Sequence, residues 1–300
     1  MIPDFIIRAI ELGLLYSLMA LGVYITFRIL NFPDLTVDGS YTTGAAIAAL
    51  MIINGFAPWL ATLAAFGGGM AAGAVTGLLH TKGKINGLLS GILMMVALYS
   101  INMRIMGTPN VSLLRETTLF TNISPMIFMI IVVILVKILL DAFLKTDLGL
   151  ALRATGDNPR MISSLGANTD TAKIIGVSLS NGLVACSGAF VAQQSGFADI
   201  NGGVGMIVIG LASVIIGEAI FGRMTVFRAT LAAILGSVIY RIVVSLALRV
   251  EFLEASDVKL ITAVIVVIAL VFPSIGRSWS EKKTARKRSA ELSREVPERA

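Results

Sequence analysis

Residues 124–144 read SPMIFMIIVVILVKILLDAFL, and this stretch decides the fold class. It contains only two charged side chains, Lys137 and Asp141. A helix needs about 20 mostly apolar residues to cross the hydrocarbon core of a bilayer. We therefore expect this stretch to span a membrane as a helix, because a helix satisfies its own backbone polar groups within lipid.

Similar apolar runs occupy most of the chain on either side. Apolar residues make up 56% of the sequence, charged residues only 14%, and the mean hydropathy is +0.88. A soluble domain carries roughly 25% charged residues, so this composition excludes one. The sequence predicts an all-α polytopic transmembrane helix bundle of about 8–10 spans. The predicted spans are 5–27, 40–54, 57–80, 85–106, 124–144, 171–193, 205–221, 226–249 and 258–275.

The distribution of basic residues predicts the orientation. With nine spans and the C-terminus inside, the inner segments hold 17 of the 24 Lys and Arg residues and the outer segments hold five. Basic residues collect on the cytoplasmic side of membrane proteins. We therefore expect an outer N-terminus and a retained first span. Residues 1–276 form the predicted transmembrane domain, and 277–300 a basic, disordered cytoplasmic tail that contacts lipid headgroups.

Several kinds of chemistry are excluded by the residues present. Cys186 and His80 are the only cysteine and the only histidine, so the usual zinc sites and a Ser–His–Asp triad are not expected. The Lys82-Gly83-Lys84 cluster lacks the glycine that a phosphate-binding loop needs five residues earlier, where Leu78 stands. Any ATP chemistry must therefore belong to another chain. The basic excess is explained by the membrane, so no nucleic acid partner is expected.

The second span, 40–54, is short and follows a stretch rich in capping residues. Short or broken spans bring helix ends to the membrane midplane, where transporters bind solutes. We expect Asn31, Asp34, Thr36 and Asp38 to border a translocation pathway, with Asp38 or Ser40 capping the helix. An ordinary cytoplasmic loop is the alternative.

Two further sets of residues lie inside predicted spans. Arg241 is the most deeply placed charge, which suggests either the pathway or a structural partner. Lys137 and Asp141 are four residues apart and are expected to pair near the inner edge, with Lys137 reaching toward the interface. Gly69, Gly73 and Gly77 form a ridge spaced by four, which favours close helix packing in lipid.

The loop 145–170 reads KTDLGLALRATGDNPRMISSLGANTD and predicts a short helix on the cytoplasmic side. Asn158 is a capping residue, Pro159 fits the first helical position, and Gly166 fits a left-handed end. The predicted helix, Pro159–Leu165, places its apolar residues on one face; these are Met161, Ile162 and Leu165. Seven residues are too few to be stable alone, so the helix must pack in a groove of a partner or on its own bundle.

These residues resemble the coupling loop of permease subunits in ATP-binding-cassette importers, in the branched-chain amino acid and ribose permease group. The family pattern falls on Gly149, Arg153-Ala154, Asn158-Pro159 and Leu165-Gly166. The family has more Ala inside the short helix, where this chain has Met161 to Ser164. The stretches 31–45 and 214–222 are also similar to that group. DLTVDGS (34–40) and SINMRIMGTPN (100–110) are similar to permeases encoded beside binding proteins assigned to aromatic amino acids.

The resemblance implies a non-enzymatic transport subunit in a bacterial plasma membrane. It implies cytosolic ATPase subunits that bind ATP and Mg, an extracytoplasmic solute-binding protein, and a second permease copy, as a homodimer or with a close relative. The chain itself needs no cofactor or metal. In the family, the ATPase contact falls on Arg153, Asn158, Pro159, Arg160, Met161, Ile162, Leu165 and Gly166. The alternatives are a secondary carrier driven by an ion gradient and an intramembrane enzyme; the sequence lacks the buried acids or catalytic sets that they require.

Overall fold

The computed structural model describes residues 4–121, 123–164 and 166–248, with the single positions 260, 263, 264 and 267. The predicted last span 258–275, apart from those single positions, lies outside the described residues, as do the tail 277–300 and Leu165. Within the described part, seven helices are long and apolar enough to cross a membrane. This confirms the predicted all-α polytopic bundle.

The elements follow the chain in a simple order. The helices are α1 (Asp4–Val23, continued by a π-helical segment Tyr24–Ile29), α2 (Thr36–Ile53), α3 (Pro58–Thr81), α4 (Gly87–Met106), α5 (Pro125–Phe143), α6 (Asp147–Asp157), α7 (Pro159–Ser164), α8 (Thr169–Ser195), α9 (Met206–Phe221) and α10 (Val226–Ala247). Two short strands, β1 (Asn110–Ser112) and β2 (Phe197–Asp199), pair antiparallel, with Val111 opposite Ala198.

Helix α8 lies at the centre of the bundle and packs against α1, α2 and α3. Small residues allow the close approach. A Cβ on Gly44 would lie 1.9 Å from the carbonyl oxygen of Ala185, and one on Gly188 would lie 2.0 Å from that of Tyr41. Such small-residue contacts stabilise helix pairs in lipid, where the hydrophobic effect does not drive association. Helices α4 and α5 lie at the periphery, with most of their apolar side chains exposed.

The bundle has two distinct ends. The strand pair ties the α4–α5 connection to the α8–α9 connection, and we call this end the strand end. The opposite end carries α6 and α7, and we call it the elbow end. Nine described basic residues belong to the elbow end: Arg28, Lys82, Lys84, Lys145, Arg153, Arg160, Lys173, Arg223 and Arg228. Three belong to the strand end: Arg8, Arg104 and Arg115.

Helix α2 is longer than predicted, because it begins at Thr36 rather than at residue 40. Neither Asp38 nor Ser40 caps it. Leu35 occupies the N-cap position, and Asp34 just before it accepts the backbone N–H of Thr36 on its Oδ1 at 2.9 Å. The predicted span 205–221 also differs in character. It forms the 16-residue helix α9, which is shorter than the crossing helices and begins beside the first turn of α2.

Candidate functional site

Helices α6 and α7 form the elbow that the sequence predicted as a contact for another protein. Thr146 caps α6, because its hydroxyl accepts the N–H of Gly149 at 3.3 Å. Asn158 caps α7 in the same way, and its Oδ1 accepts the N–H of Met161 at 3.1 Å. Gly166 has a φ of +85° just after α7, a conformation that favours glycine. The short helix is therefore defined at both ends by local hydrogen bonding and backbone geometry.

Helix α7 does not pack its apolar residues on its own bundle. None of its residues is buried, Met161 is 58% exposed and Ile162 is half-buried. Arg153 and Arg160 are also exposed, and neither forms an ion pair with another described residue. An exposed methionine on a six-residue helix flanked by two free arginines is a surface suited to a protein partner.

Helix α6 connects α7 rigidly to the bundle. It buries Leu152 and Thr155, and Leu152 approaches Gly176 of α8. A Cβ on Gly156 would lie 1.7 Å from the carbonyl oxygen of Ile29, at the end of the π-helical segment. This contact leaves no space between α6 and the start of the 30–35 segment. The contact joins α6 to the segment that leads into α2.

The five predicted pathway residues do not all meet in one place. Asn31 is exposed, with a φ of +51°, where the chain turns out of the π-helical segment. Asp34 and Thr36 are buried. Asp34 Oδ2 accepts from Asn181 Nδ2 at 2.7 Å, and the hydroxyls of Thr36 and Thr76 are 2.8 Å apart. These contacts tie α2 to α8 and α3, so Asp34 and Thr36 hold three helices together, and a pathway role for them stays a prediction.

Asp38 has the most unusual environment of the five. Its Oδ2 accepts the N–H of Gly205 at 2.9 Å, and its Oδ1 accepts the N–H of Ile207 at 2.8 Å. The carboxylate therefore caps α9, where the helix dipole favours a negative charge. Because Asp38 also lines a cavity, it is the predicted pathway residue that the structure places beside open space.

The junction between Asp38 and α9 lies near the middle of the bundle. Asp34 contacts Asn181 of α8, and Tyr41 packs against Gly188 of the same helix. Both positions are in the central part of α8, which runs from residue 169 to 195. Asp38 lies between Asp34 and Tyr41 on the chain, so α9 begins at about mid-height. A helix that begins inside the membrane is a feature of solute sites in transporters.

Arg241 lies on α10 and contacts an aromatic ring. Its Cζ is 4.6 Å from the centroid of the Tyr16 ring, and the Tyr16 ring is 6.5 Å from that of Tyr41. A guanidinium over a tyrosine face is stabilised electrostatically. This gives Arg241 a structural partner on α1, which is one of the two roles expected from the sequence.

Two ion pairs join charged side chains in the described part of the bundle. Lys137 and Asp141 form a buried ion pair on α5, as their spacing of four residues predicted. The hydroxyl of Thr230 donates to Asp141 at 2.7 Å, and Lys137 lies over the Phe227 ring at 3.5 Å from its centroid. The pair therefore joins α5 to α10. Arg28 and Glu218 form a second ion pair at the elbow end.

The glycine ridge of α3 faces α8. A Cβ on Gly69, Gly73 or Gly77 would lie 2.3–2.9 Å from backbone atoms of Asn181, Val177 or Ile174.

Sequence reasoning missed the contacts that Asp38 makes, because their partners are more than 160 residues away and are backbone amides. Within the described ranges, no three His, Cys, Asp or Glu side chains come together as a metal would require.

The comparisons with known proteins agree with this geometry. The family model for the branched-chain amino acid transport system permease component matches residues 5–271. A tyrosine transport system permease protein of Clostridioides difficile is 49% identical over 93% of this chain and 94% of its own length. An uncharacterised protein of Rickettsia prowazekii is 35% identical over 89% of this chain and 97% of its own. An autoinducer 2 import system permease protein of Photorhabdus laumondii is 29% identical over 72% of this chain and 66% of its own length. No solved structure gives a significant match.

Proposed function

Because the chain belongs to the branched-chain amino acid transport permease family, we propose that it is the transmembrane subunit of an ATP-driven importer. In this role it forms the translocation pathway for a small solute and catalyses no reaction itself. The observation that carries the proposal is α7, a short capped helix with an exposed apolar side chain, Met161. Such a helix fits a groove in another protein.

The partner at the elbow is a cytosolic ATPase subunit that binds ATP and Mg. Met161 and Ile162 insert into its groove, and the exposed guanidinium groups of Arg153 and Arg160 meet acidic residues at the rim. Burying one apolar side chain contributes roughly 1.5–3 kcal/mol, whereas rim charges mainly accelerate the encounter. When the ATPases close, α7 moves, and α6 carries the movement to the 30–35 segment through Gly156 and Ile29.

The elbow end faces the cytoplasm of a bacterium in this proposal. The nine-to-three distribution of described basic residues supports it, as does the greater bias of the whole sequence. The N-terminus then lies outside and the tail 277–300 inside. A solute-binding protein delivers the solute at the strand end, and two copies of the chain enclose the pathway.

The proposed solute is an aromatic amino acid. The relative from Clostridioides difficile, which carries the name of a tyrosine transport permease, shares nearly half of its residues over almost the whole length. The similarity of residues 34–40 and 100–110 to permeases of aromatic amino acid systems points the same way. We take L-tyrosine as the probe for experiments.

Reconstitution tests the proposal directly. The chain is placed in proteoliposomes with the ATPase and the solute-binding protein encoded by neighbouring genes. We expect uptake of labelled L-tyrosine to require ATP on the side of the membrane where the ATPase is bound. Uptake should continue without any ion gradient. Uptake that follows a sodium or proton gradient and ignores ATP would instead establish a secondary carrier.

A further inference from the structure

A small cavity opens beside the junction between α2 and α9. It has a volume of about 280 Å³, and its lining includes Asp38, Thr42, Ser100, Asn102 and Val204. Its walls come from α2, from α4 and from the segment 200–205, and it therefore lies at the mid-height of the bundle established above. The cavity is large enough for part of a small solute.

One side-chain acceptor atom in the cavity wall has no hydrogen-bond partner in the described part of the chain. Asn102 is fully buried, and its Nδ2 donates to the carbonyl oxygen of Gly39 at 3.2 Å. That bond fixes the orientation of the amide, because only the nitrogen can pair with a carbonyl oxygen. The Oδ1 of Asn102 is thereby left buried with no partner among the described residues. A buried acceptor without a donor is costly and indicates a missing group.

The cavity offers hydrogen-bond acceptors, and its described lining offers neither free N–H groups at the start of α9 nor positively charged side chains. The N–H groups at the start of α9 are occupied by the Asp38 carboxylate, so they are not available to hold an anion. The carboxylate oxygens retain further acceptor capacity, since each can accept more than one hydrogen bond. Among the residues that the structure describes, no Lys, Arg or His belongs to the lining. A negative carboxylate together with an orphan amide oxygen suits a ligand that is positively charged and donates several hydrogen bonds.

We propose that this cavity is a subsite for a primary ammonium group, and that it receives the amino group of the transported solute. This inference rests on the proposed function for the source of the ammonium group. Asp38 supplies the charge and Asn102 supplies a directed acceptor, while the hydroxyl of Ser100 lies at the exposed lip.

The position of the opening suits a pathway between two copies of the chain. Tyr99, Ser100 and Val204 are exposed at the lip, on the flank of the bundle rather than at either end. A solute that passes between two permease copies would meet this flank at half the depth of the membrane. The solute would dissociate from the solute-binding protein before it reaches the subsite.

Charge-selective labelling tests the subsite without depending on transport. Cys186 is the only cysteine, so a Cys186→Ser background allows a single reporter, Ser100→Cys, in the full chain in proteoliposomes. The measured quantity is the ratio of the labelling rate with cationic 2-aminoethyl methanethiosulfonate to that with the anionic 2-sulfonatoethyl reagent. We expect this ratio to be about tenfold higher at Ser100→Cys than at a control position. Ser112→Cys on β1, which is exposed and does not belong to the cavity lining, provides that control. The preference should fall several-fold when Asn102→Leu is added, which leaves the α9 cap in place.

The amino group itself is tested by protection. L-tyrosine should slow labelling of Ser100→Cys, whereas 3-(4-hydroxyphenyl)propionate, which lacks the amino group, should not. Equal rates for the two charged reagents would overturn the proposal and would assign Asn102 Oδ1 to a water molecule. Absence of labelling by either reagent would overturn it as well, because the cavity would not be reached from water. ATP-driven uptake in the same vesicles tests the proposed function separately.

Discussion

The carboxylate of Asp38 in the first turn of α2 accepts the backbone N–H of Gly205, 167 residues later, at a distance of 2.9 Å. With the second bond to Ile207, this contact caps α9 inside the bundle. The start of α9 is thereby fixed to the same helix that the elbow would move. The two helices form one unit at the depth where a solute would bind.

The cap predicts different effects for two substitutions of Asp38. Asp38→Ala removes both acceptors and should destabilise the fold by about 1–2 kcal/mol, the usual cost of a lost helix cap. Asp38→Asn keeps one acceptor oxygen and should cost less. Thermal unfolding in detergent measures both. A melting temperature for Asp38→Ala equal to that of the unsubstituted protein would show that the cap contributes nothing.

The α3–α8 contact predicts a sharp difference between two glycines of one helix. Gly73→Ala would place a methyl group 2.4 Å from the carbonyl oxygen of Val177, so the helices must separate. Gly67→Ala is the matched control, because nothing lies within 4 Å of its Cβ. We expect lower thermal stability only for Gly73→Ala, whereas Gly67→Ala should be neutral or gain up to about 1 kcal/mol from helix propensity. Equal effects would contradict the packing.

The buried pair of α5 predicts a non-additive result. Lys137→Met alone leaves the Asp141 carboxylate buried without its cation and should cost about 3–5 kcal/mol. The double variant Lys137→Met with Asp141→Leu leaves no unpaired charge and should recover much of that loss. The measurement is a double-mutant cycle by thermal unfolding. If the stable double variant also retains uptake, the pair is structural; loss of uptake at unchanged stability would assign it to an ion pathway.

The two ends of the bundle predict opposite labelling from outside the cell. In the Cys186→Ser background, Ser112→Cys on β1 should react with a membrane-impermeant maleimide in intact cells. Ser163→Cys on α7 should react only after the cells are opened. Reaction of Ser163→Cys in intact cells would reverse the proposed orientation.

Much of the architecture could be predicted from local sequence alone. The spans follow from apolar runs, and α7 follows from Asn158, Pro159 and Gly166, because caps are formed by neighbouring residues. The start of α2 at Thr36 differs from the prediction, since Leu35 takes the N-cap position and Asp34 supplies the acceptor for the Thr36 N–H from a stretch that the sequence presents as a loop. Helix α6 was missed as well, although Thr146 is a capping residue, because it is only 11 residues long and contains Gly149 and Gly156, which are weak helix formers.

The role of Asp38 could not be predicted from the sequence. Its acceptor bonds join residues far apart in the chain and end on backbone amides, which carry no sequence signal. The same limit applies to the contacts of Asp34 and Thr36. Their polar groups are used by Asn181 and Thr76 from other helices, and only the packed structure shows those partners.

ATPase coupling through α7 is the central claim, and Met161→Asp tests it most directly. A carboxylate at this exposed position should leave insertion and folding unchanged, because α7 lies outside the spans and has no buried residue. In the partner's groove it would be an unpaired charge, at a cost of several kcal/mol. Leu114→Asp is the matched control, since Leu114 is 80% exposed beside β1 at the opposite end.

The measurement is the amount of ATPase that co-purifies with each variant, together with ATP-driven uptake of L-tyrosine in proteoliposomes. We predict that Met161→Asp loses most of the ATPase and of the uptake, while Leu114→Asp keeps the ATPase. Full ATPase association and full ATP-driven uptake in Met161→Asp would contradict the coupling role of α7.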